Sequence, residues 1–108
     1  MTLTSSGFSS IDELEDVARA FQESRIVLTA VELDVFTPLA RGQLTAEQVA
    51  TRLDTAPRAT EMLLNALVAL HLLQKSENRY CLTSLARKHL VKGAPDDARA
   101  MFLHDAQL

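Results

Sequence analysis

The sequence predicts a mainly α fold of winged helix-turn-helix type with a small β-hairpin. Three observations carry that prediction. An apolar residue recurs every three or four positions from Leu14 to Val35, which keeps one face of a helix apolar. A short helix signal (Thr45 to Leu53) precedes a longer, very apolar one (Pro57 to Leu70), the order in which a helix-turn-helix runs. After them, Leu72 to Lys75 and Arg79 to Leu82 flank the polar connection Ser-Glu-Asn, a hairpin in the place of a wing.

Each element has its own local reason. Ser10 is placed to cap a helix beginning at Ile11, with Glu13 as its third residue. Leu14, Val17, Phe21, Leu28 and Val31 form the apolar stripe of one long helix or two in tandem. From Ile26 onward the other faces turn apolar as well, which predicts burial all round the second half. Asp34 stands where the chain must turn, and Asp tolerates the left-handed region better than most residues. A short helix over Val35 to Ala40 is closed by Gly42. Thr45-Ala-Glu-Gln48 has the spacing of a capping box. Pro57 suits the first position of the next helix, where its missing N–H costs nothing. His71 falls at that helix's C-terminus, where a positive φ is expected. Thr83 caps a helix running from Ser84 to about Val91, stopped by Gly93 and Pro95, and a last helix is expected from Pro95 or Asp96 onward.

Composition narrows the function. The chain has 108 residues, too few for a typical nucleotide-binding sheet beside these helices. Hydrophobic residues make up 47% and the mean hydropathy is +0.03, high for a chain with no span of about 20 apolar residues. That surplus implies a protein partner and no membrane. The net charge of −3 disfavours nucleic acid, whose binding draws on Lys and Arg contacts. Arg52, Arg58, Arg79, Arg87, Lys88 and Lys92 are scattered over four elements and read as solvated surface charge. The start of the chain lacks the pattern of a signal peptide, and its single Cys81 forms no internal disulfide, so a cytoplasmic location is expected.

Other chemistry is weakly represented. His71, His89 and His104 share no metal-ligand spacing, so no metal is expected. Asp12, Glu13, Glu15 and Asp16 favour the positive end of a helix rather than acid–base catalysis. The stripe Leu14, Val17, Phe21, Leu28 and Val31 reads as an intermolecular seam, with Phe8 and Ile11 extending it; the competing reading is an internal core.

Four segments together resemble the N-terminal dimerisation domain of S-adenosylmethionine-dependent O-methyltransferases of the plant-caffeate and bacterial natural-product type. They are residues 24–39 (Ser-Arg-Ile-Val-Leu-Thr-Ala-Val-Glu-Leu-Asp-Val-Phe-Thr-Pro-Leu), 44–50 (Leu-Thr-Ala-Glu-Gln-Val-Ala), 57–70 and 79–83 (Arg-Tyr-Cys-Leu-Thr). The resemblance covers about residues 11–108. It implies a homodimer whose first helix interlocks with that of a second subunit. It also implies an enzyme using S-adenosylmethionine on a small, aromatic, hydroxylated acceptor through a catalytic domain outside this chain. On that basis residues 1–10 are a lead-in, 11–93 the winged-helix dimerisation domain, and 94–108 the start of a helix leading toward the catalytic domain. No catalytic, cofactor-binding or metal residue carries over. Met101, Phe102 and His104 are the positions that the resemblance places near the acceptor. This sequence departs from the family's pattern at Asp34 and His71, where Gly is usual, and at Ala56, where Asp commonly caps the following helix; Thr55 or Asp54 is expected to cap instead. The alternative reading is a stand-alone dimeric winged-helix transcriptional regulator, and a third is a small interaction protein.

Overall fold

A computed structural model describes residues 10–106, with side chains described to residue 103. Six helices and three strands follow in the order α1 (Ile11–Leu33), α2 (Phe36–Leu39), β1 (Leu44–Thr45), α3 (Ala46–Leu53), α4 (Pro57–Ala69), β2 (Leu73–Ser76), β3 (Arg79–Leu82), α5 (Ser84–His89) and α6 (Arg99–Ala106). The first helix is continuous over 23 residues, so the tandem alternative does not hold. Ser10 caps it by accepting the Glu13 N–H at 3.1 Å.

Three of the helices close by one device. At Asp34 (φ 58°), Asp54 (φ 55°) and His71 (φ 62°) the chain enters the left-handed region. The following N–H then reaches back five residues: Val35 to Ala30, Thr55 to Ala50 and Leu72 to Leu67, all at 3.0–3.1 Å. These bonds satisfy carbonyls that a helix end would otherwise leave open. Asp34 gains a local partner as well, accepting the Thr37 hydroxyl at 2.6 Å, while Thr37 Oγ1 accepts the Lys92 N–H at 3.1 Å.

The capping box forms as its spacing predicts. Thr45 accepts the Gln48 N–H at 3.2 Å, and Gln48 Oε1 accepts the Thr45 N–H at 2.9 Å. The cap of α4 corrects the expectation. Ala56 is the N-cap, with no side chain bonded there. Asp54 is used to end α3, and the Thr55 hydroxyl pairs instead with that of Thr60 at 2.6 Å.

The sheet is antiparallel in the order β1-β3-β2. The hairpin matches the expected wing, with its reversal at Glu77-Asn78 and Glu77 at φ 57°. The third strand, β1, pairs Leu44 with Tyr80 and Thr45 with Arg79. The last helix begins at Arg99 rather than at Pro95 or Asp96, because Asp97 accepts the Arg99 N–H at 3.0 Å and chelates its guanidinium; Pro95 and Asp96 stand in a turn before it.

The core lies under α4 and the sheet. Phe36, Leu39, Val49, Leu64, Leu67, Leu73 and Tyr80 are fully buried, joined by Ala30 and Val31 from the end of α1. Each large apolar side chain taken from water contributes about 1.5–3 kcal/mol, enough to fix the elements around it. No described buried side-chain nitrogen or oxygen lacks a hydrogen-bond partner.

The molecule is elongated, with extents of 49 × 29 × 24 Å and a radius of gyration of 15.7 Å. A compact domain of this length would have a radius of gyration of about 13 Å. The excess comes from α1, about 35 Å long at the usual helical rise. From Ile11 to Arg25 only Val17 is even half-buried. The second half of α1 is not covered all round, since Thr29, Glu32 and Leu33 are exposed.

Candidate interaction surface

The projecting half of α1 carries the first candidate surface. Leu14 is 47% and Phe21 66% exposed, while Val17 and Leu28 are half-buried. Their spacings of three, four and seven place all four on one side of the helix. The core-facing side belongs to Ile26, Val27, Ala30 and Val31. The seam expected from the sequence therefore separates in two. Val31 is 2% exposed and packs in the chain's own core, a correction to its place in the seam. A step of three residues turns a helix by only about 60°, so Val31 lies at the edge of the stripe, where the chain's own core against the end of α1 covers it. Ile11 is exposed and extends the projecting apolar half; Phe8 lies outside the described residues.

Beside the base of α1 lie two hollows of about 380 and 460 Å³. Val27, Leu72 and Phe102 line both, so they form one trough. Its walls come from α1 (Ala20, Ser24), α5 (Leu85, His89) and α6 (Met101). Leu85 is 56% and Met101 65% exposed, which leaves the trough with an apolar, open rim. The Nδ1 of His89 is 2.9 Å from the Asp96 carbonyl, which fixes the ring as a donor on that side. Of the three positions linked to the acceptor by resemblance, Met101 and Phe102 meet in this trough. The side chain of His104 lies outside the described residues.

The face that would enter DNA in a winged helix is differently made. Arg58, Glu61, Met62 and Asn65 are its exposed residues. Asn65 is already engaged, its Oδ1 accepting the Tyr80 hydroxyl at 2.6 Å and the Lys75 ammonium at 3.4 Å. Lys75 in turn lies 5.2 Å from the centre of the Tyr80 ring. A base-reading amide and a wing lysine are thus spent on holding the wing against α4.

Among the described residues no group of three or more His, Cys, Asp or Glu is gathered to hold a metal ion, and no helix is long and apolar enough to cross a membrane. Cys81 is half-buried with its thiol 3.9 Å from Gln74 Oε1, the place of a small strand residue.

Comparison with known proteins agrees with this architecture. The family model described as the O-methyltransferase dimerisation domain matches residues 15–92. A 3-hydroxy-5-methyl-1-naphthoate 3-O-methyltransferase from Streptomyces sahachiroi is 37% identical over 83 residues, 77% of this chain and 24% of that protein. Acetylserotonin O-methyltransferase from Bos taurus is 37% identical over 97 residues, 84% of this chain and 28% of that enzyme. Human N-acetylserotonin methyltransferase, solved in complex with SAM, superposes with a TM-score of 0.81 at 29% identity, covering 95% of this chain and 32% of that one. The chain thus spans about a quarter of the length of the curated relatives it matches. On the match of residues 15–92, the chain belongs to the O-methyltransferase dimerisation-domain family.

Proposed function

We propose that this chain is the homodimerisation domain of an S-adenosylmethionine-dependent O-methyltransferase acting on a small, aromatic, hydroxylated acceptor. One observation carries the dimer: an apolar stripe on a helix half where, from Ile11 to Arg25, every residue but Val17 is exposed among the described residues. A helix of some fifteen residues is marginal alone in water, so the stripe favours a partner that covers it. The acceptor class rests on relatives whose names specify a naphthoate and an acetylserotonin.

The described residues do not fit the cofactor. The sheet is antiparallel with strands of two to four residues; Gly42 lies between α2 and β1 and Gly93 between α5 and α6, neither in a strand-to-helix loop that could cradle a nucleotide. Chemistry is therefore assigned to a domain outside these residues. Residues 11–93 form the dimerising unit, and the helix within 94–108 leads toward that domain.

Sedimentation equilibrium paired with circular dichroism tests the reading. The expected result is a dimer at micromolar concentration that Phe21→Glu converts to a folded monomer. Isothermal titration of the 108-residue chain with S-adenosylmethionine should show no binding. A wild-type chain that stays monomeric at high micromolar concentration, or that binds the cofactor unaided, overturns the reading.

A further inference from the structure

We propose that two joined hollows bordered by the end of α1 and by α2, α3 and α4 bind an amphipathic carboxylate. Its apolar body lies against Leu33, Leu53 and Leu63, and its head lies between Arg41 and Arg52. The site shares no lining residue with the trough. The first hollow, about 200 Å³, is lined by Thr29 and Leu33 of α1, Leu53 of α3 and Ala59 and Leu63 of α4, and nearly all of the surface it presents is apolar. The second, about 510 Å³, has Leu33 and Leu53 as its shared border with the first and continues past Thr37 and Pro38 to Arg41 and Arg52. Leu33 is 40% exposed, so the border that joins them stands open to a ligand. An apolar hollow that runs into a pair of cations matches a molecule with one apolar and one anionic end.

The fold assembles the charge. Arg52, Arg87 and Lys92 are apart in the sequence, and the structure gathers them with Arg41 around α2. Arg87 donates to the Ala40 carbonyl at 3.2 Å, the Lys92 N–H donates to Thr37 Oγ1 at 3.1 Å, and Arg52 shares a hollow with Thr37 and Pro38. Cations thus ring this short helix in a chain whose net charge is −3. Arg87 is held by its carbonyl, but among the described residues the guanidiniums of Arg41 and Arg52 have no hydrogen-bond or ion-pair partner. The acid that lines the same hollow, Asp34, already accepts the Thr37 hydroxyl at 2.6 Å. Glu32 and Asp54, next to Leu33 and Leu53 in the sequence, line neither hollow. A guanidinium offers a carboxylate two parallel N–H donors, so a pair of them at one end of an apolar hollow sets both the sign and the direction of the ligand. A neutral alcohol of the same length gains only the apolar half.

Octanoate is the probe, with octan-1-ol and octylamine as its neutral and cationic counterparts, each titrated into the isotope-labelled chain and followed by NMR. The expected result is saturable binding of octanoate that shifts the methyl signals of Leu33, Leu53 and Leu63 and the side-chain N–H signals of Arg41 and Arg52. Exposed ion pairs contribute little singly, so Arg41→Gln and Arg52→Gln should each weaken octanoate by about two- to fivefold, and the double variant by about tenfold. Octan-1-ol should bind the parent about as weakly as octanoate binds that double variant, and octylamine more weakly still. Ala59→Phe, at an exposed position in the first turn of α4, should fill the apolar hollow and abolish binding with the circular dichroism spectrum unchanged. No saturable binding, equal binding of octanoate and octan-1-ol, equal binding to parent and double variant, or shifts centred on Leu72 and Phe102 in the trough each overturn the proposal. Sedimentation of the same samples keeps it separate from the dimer reading. Octanoate that dissociates a dimer puts the hollows inside the interface and overturns the site, whereas a wild-type monomer that binds octanoate at these residues overturns the dimer and supports the site.

Discussion

The hydroxyl of Tyr80 donates to Asn65 Oδ1 at 2.6 Å, tying the central strand of the sheet to the outer side of α4. Tyr80 is 1% exposed, yet its oxygen ends at a residue open to solvent. The ring fills the core and the hydroxyl fixes the wing. Tyr80→Phe keeps the first role and removes the second, and Asn65 still has Lys75 and water. The expected loss is about 0.5–1 kcal/mol, read as a fall of a few degrees in the thermal midpoint. A loss several times larger would mean that the wing detaches as a whole.

His71 and Asp34 share a conformation but not its consequences. His71 is exposed with φ 62°, and no described hydrogen bond engages its ring, so His71→Gly removes the strain of a Cβ in the left-handed region. The greater freedom of Gly in the unfolded chain offsets part of that gain, leaving a change between zero and about 1 kcal/mol in favour of the variant. Asp34→Gly relieves the same strain but leaves the Thr37 hydroxyl without its acceptor. It should destabilise by about 1 kcal/mol. Thermal melts of the two single variants, compared with the parent, check both signs.

Leu28 and Val31 lie in the same helix and answer differently to charge. Val31→Glu puts a carboxylate into a closed core and should abolish the cooperative melt, since burying an unpaired charge exceeds the stability of a domain this size. Leu28 is half-exposed and outside the core cluster. Leu28→Glu should therefore preserve the helical spectrum of the domain while weakening association. Denaturant titration and sedimentation on the same samples distinguish them, and an unfolded Leu28→Glu would place that residue in the monomer's core.

Arg99 sets both the start of α6 and the acidity of Asp97. Its guanidinium, bound at 3.0–3.2 Å, and its N–H hold the Asp97 carboxyl below the usual carboxylate range. A folded-state value below the unfolded one contributes stability that is present above about pH 4 and is lost as pH falls through the folded value. The end of the molecule that carries α6 should accordingly fray first on acidification. Amide exchange of residues 97–103 between pH 5 and pH 2.5 is the measurement. Asp97→Asn should show the same fraying at neutral pH and lose the pH dependence.

Much of this fold is legible in short spacings. Thr45 and Gln48 announce their capping box three residues apart, and Pro57 and His71 bracket α4 by the backbone each tolerates. What escapes is set by distance along the chain. β1 is two residues long and exists because Tyr80 and Arg79 come to lie beside it; nothing in Leu44-Thr45 alone signals a strand. The start of α6 moves because the Asp97 side chain binds the residue two positions on, a local competition that an acidic first turn conceals. At the interaction surface, periodicity finds the stripe but not where it meets the core, because the packing of α4 and α6 against α1 decides that Val31 goes inward. The trough is invisible in any single segment, since its walls come from three helices and a strand end.

The sheet itself closes off one route of assembly. With the order β1-β3-β2, its open edges belong to a strand of two residues that runs straight into α3 and to a strand of four bearing Gln74, Lys75 and Ser76, all exposed. Neither offers an incoming strand a long apolar ladder, and a lysine on an outer strand opposes edge-to-edge pairing. Chains crowded together at high concentration are thus denied the pairing that grows without limit. What the described residues leave for a second copy is helical surface, which the proposed two-fold arrangement would saturate at two.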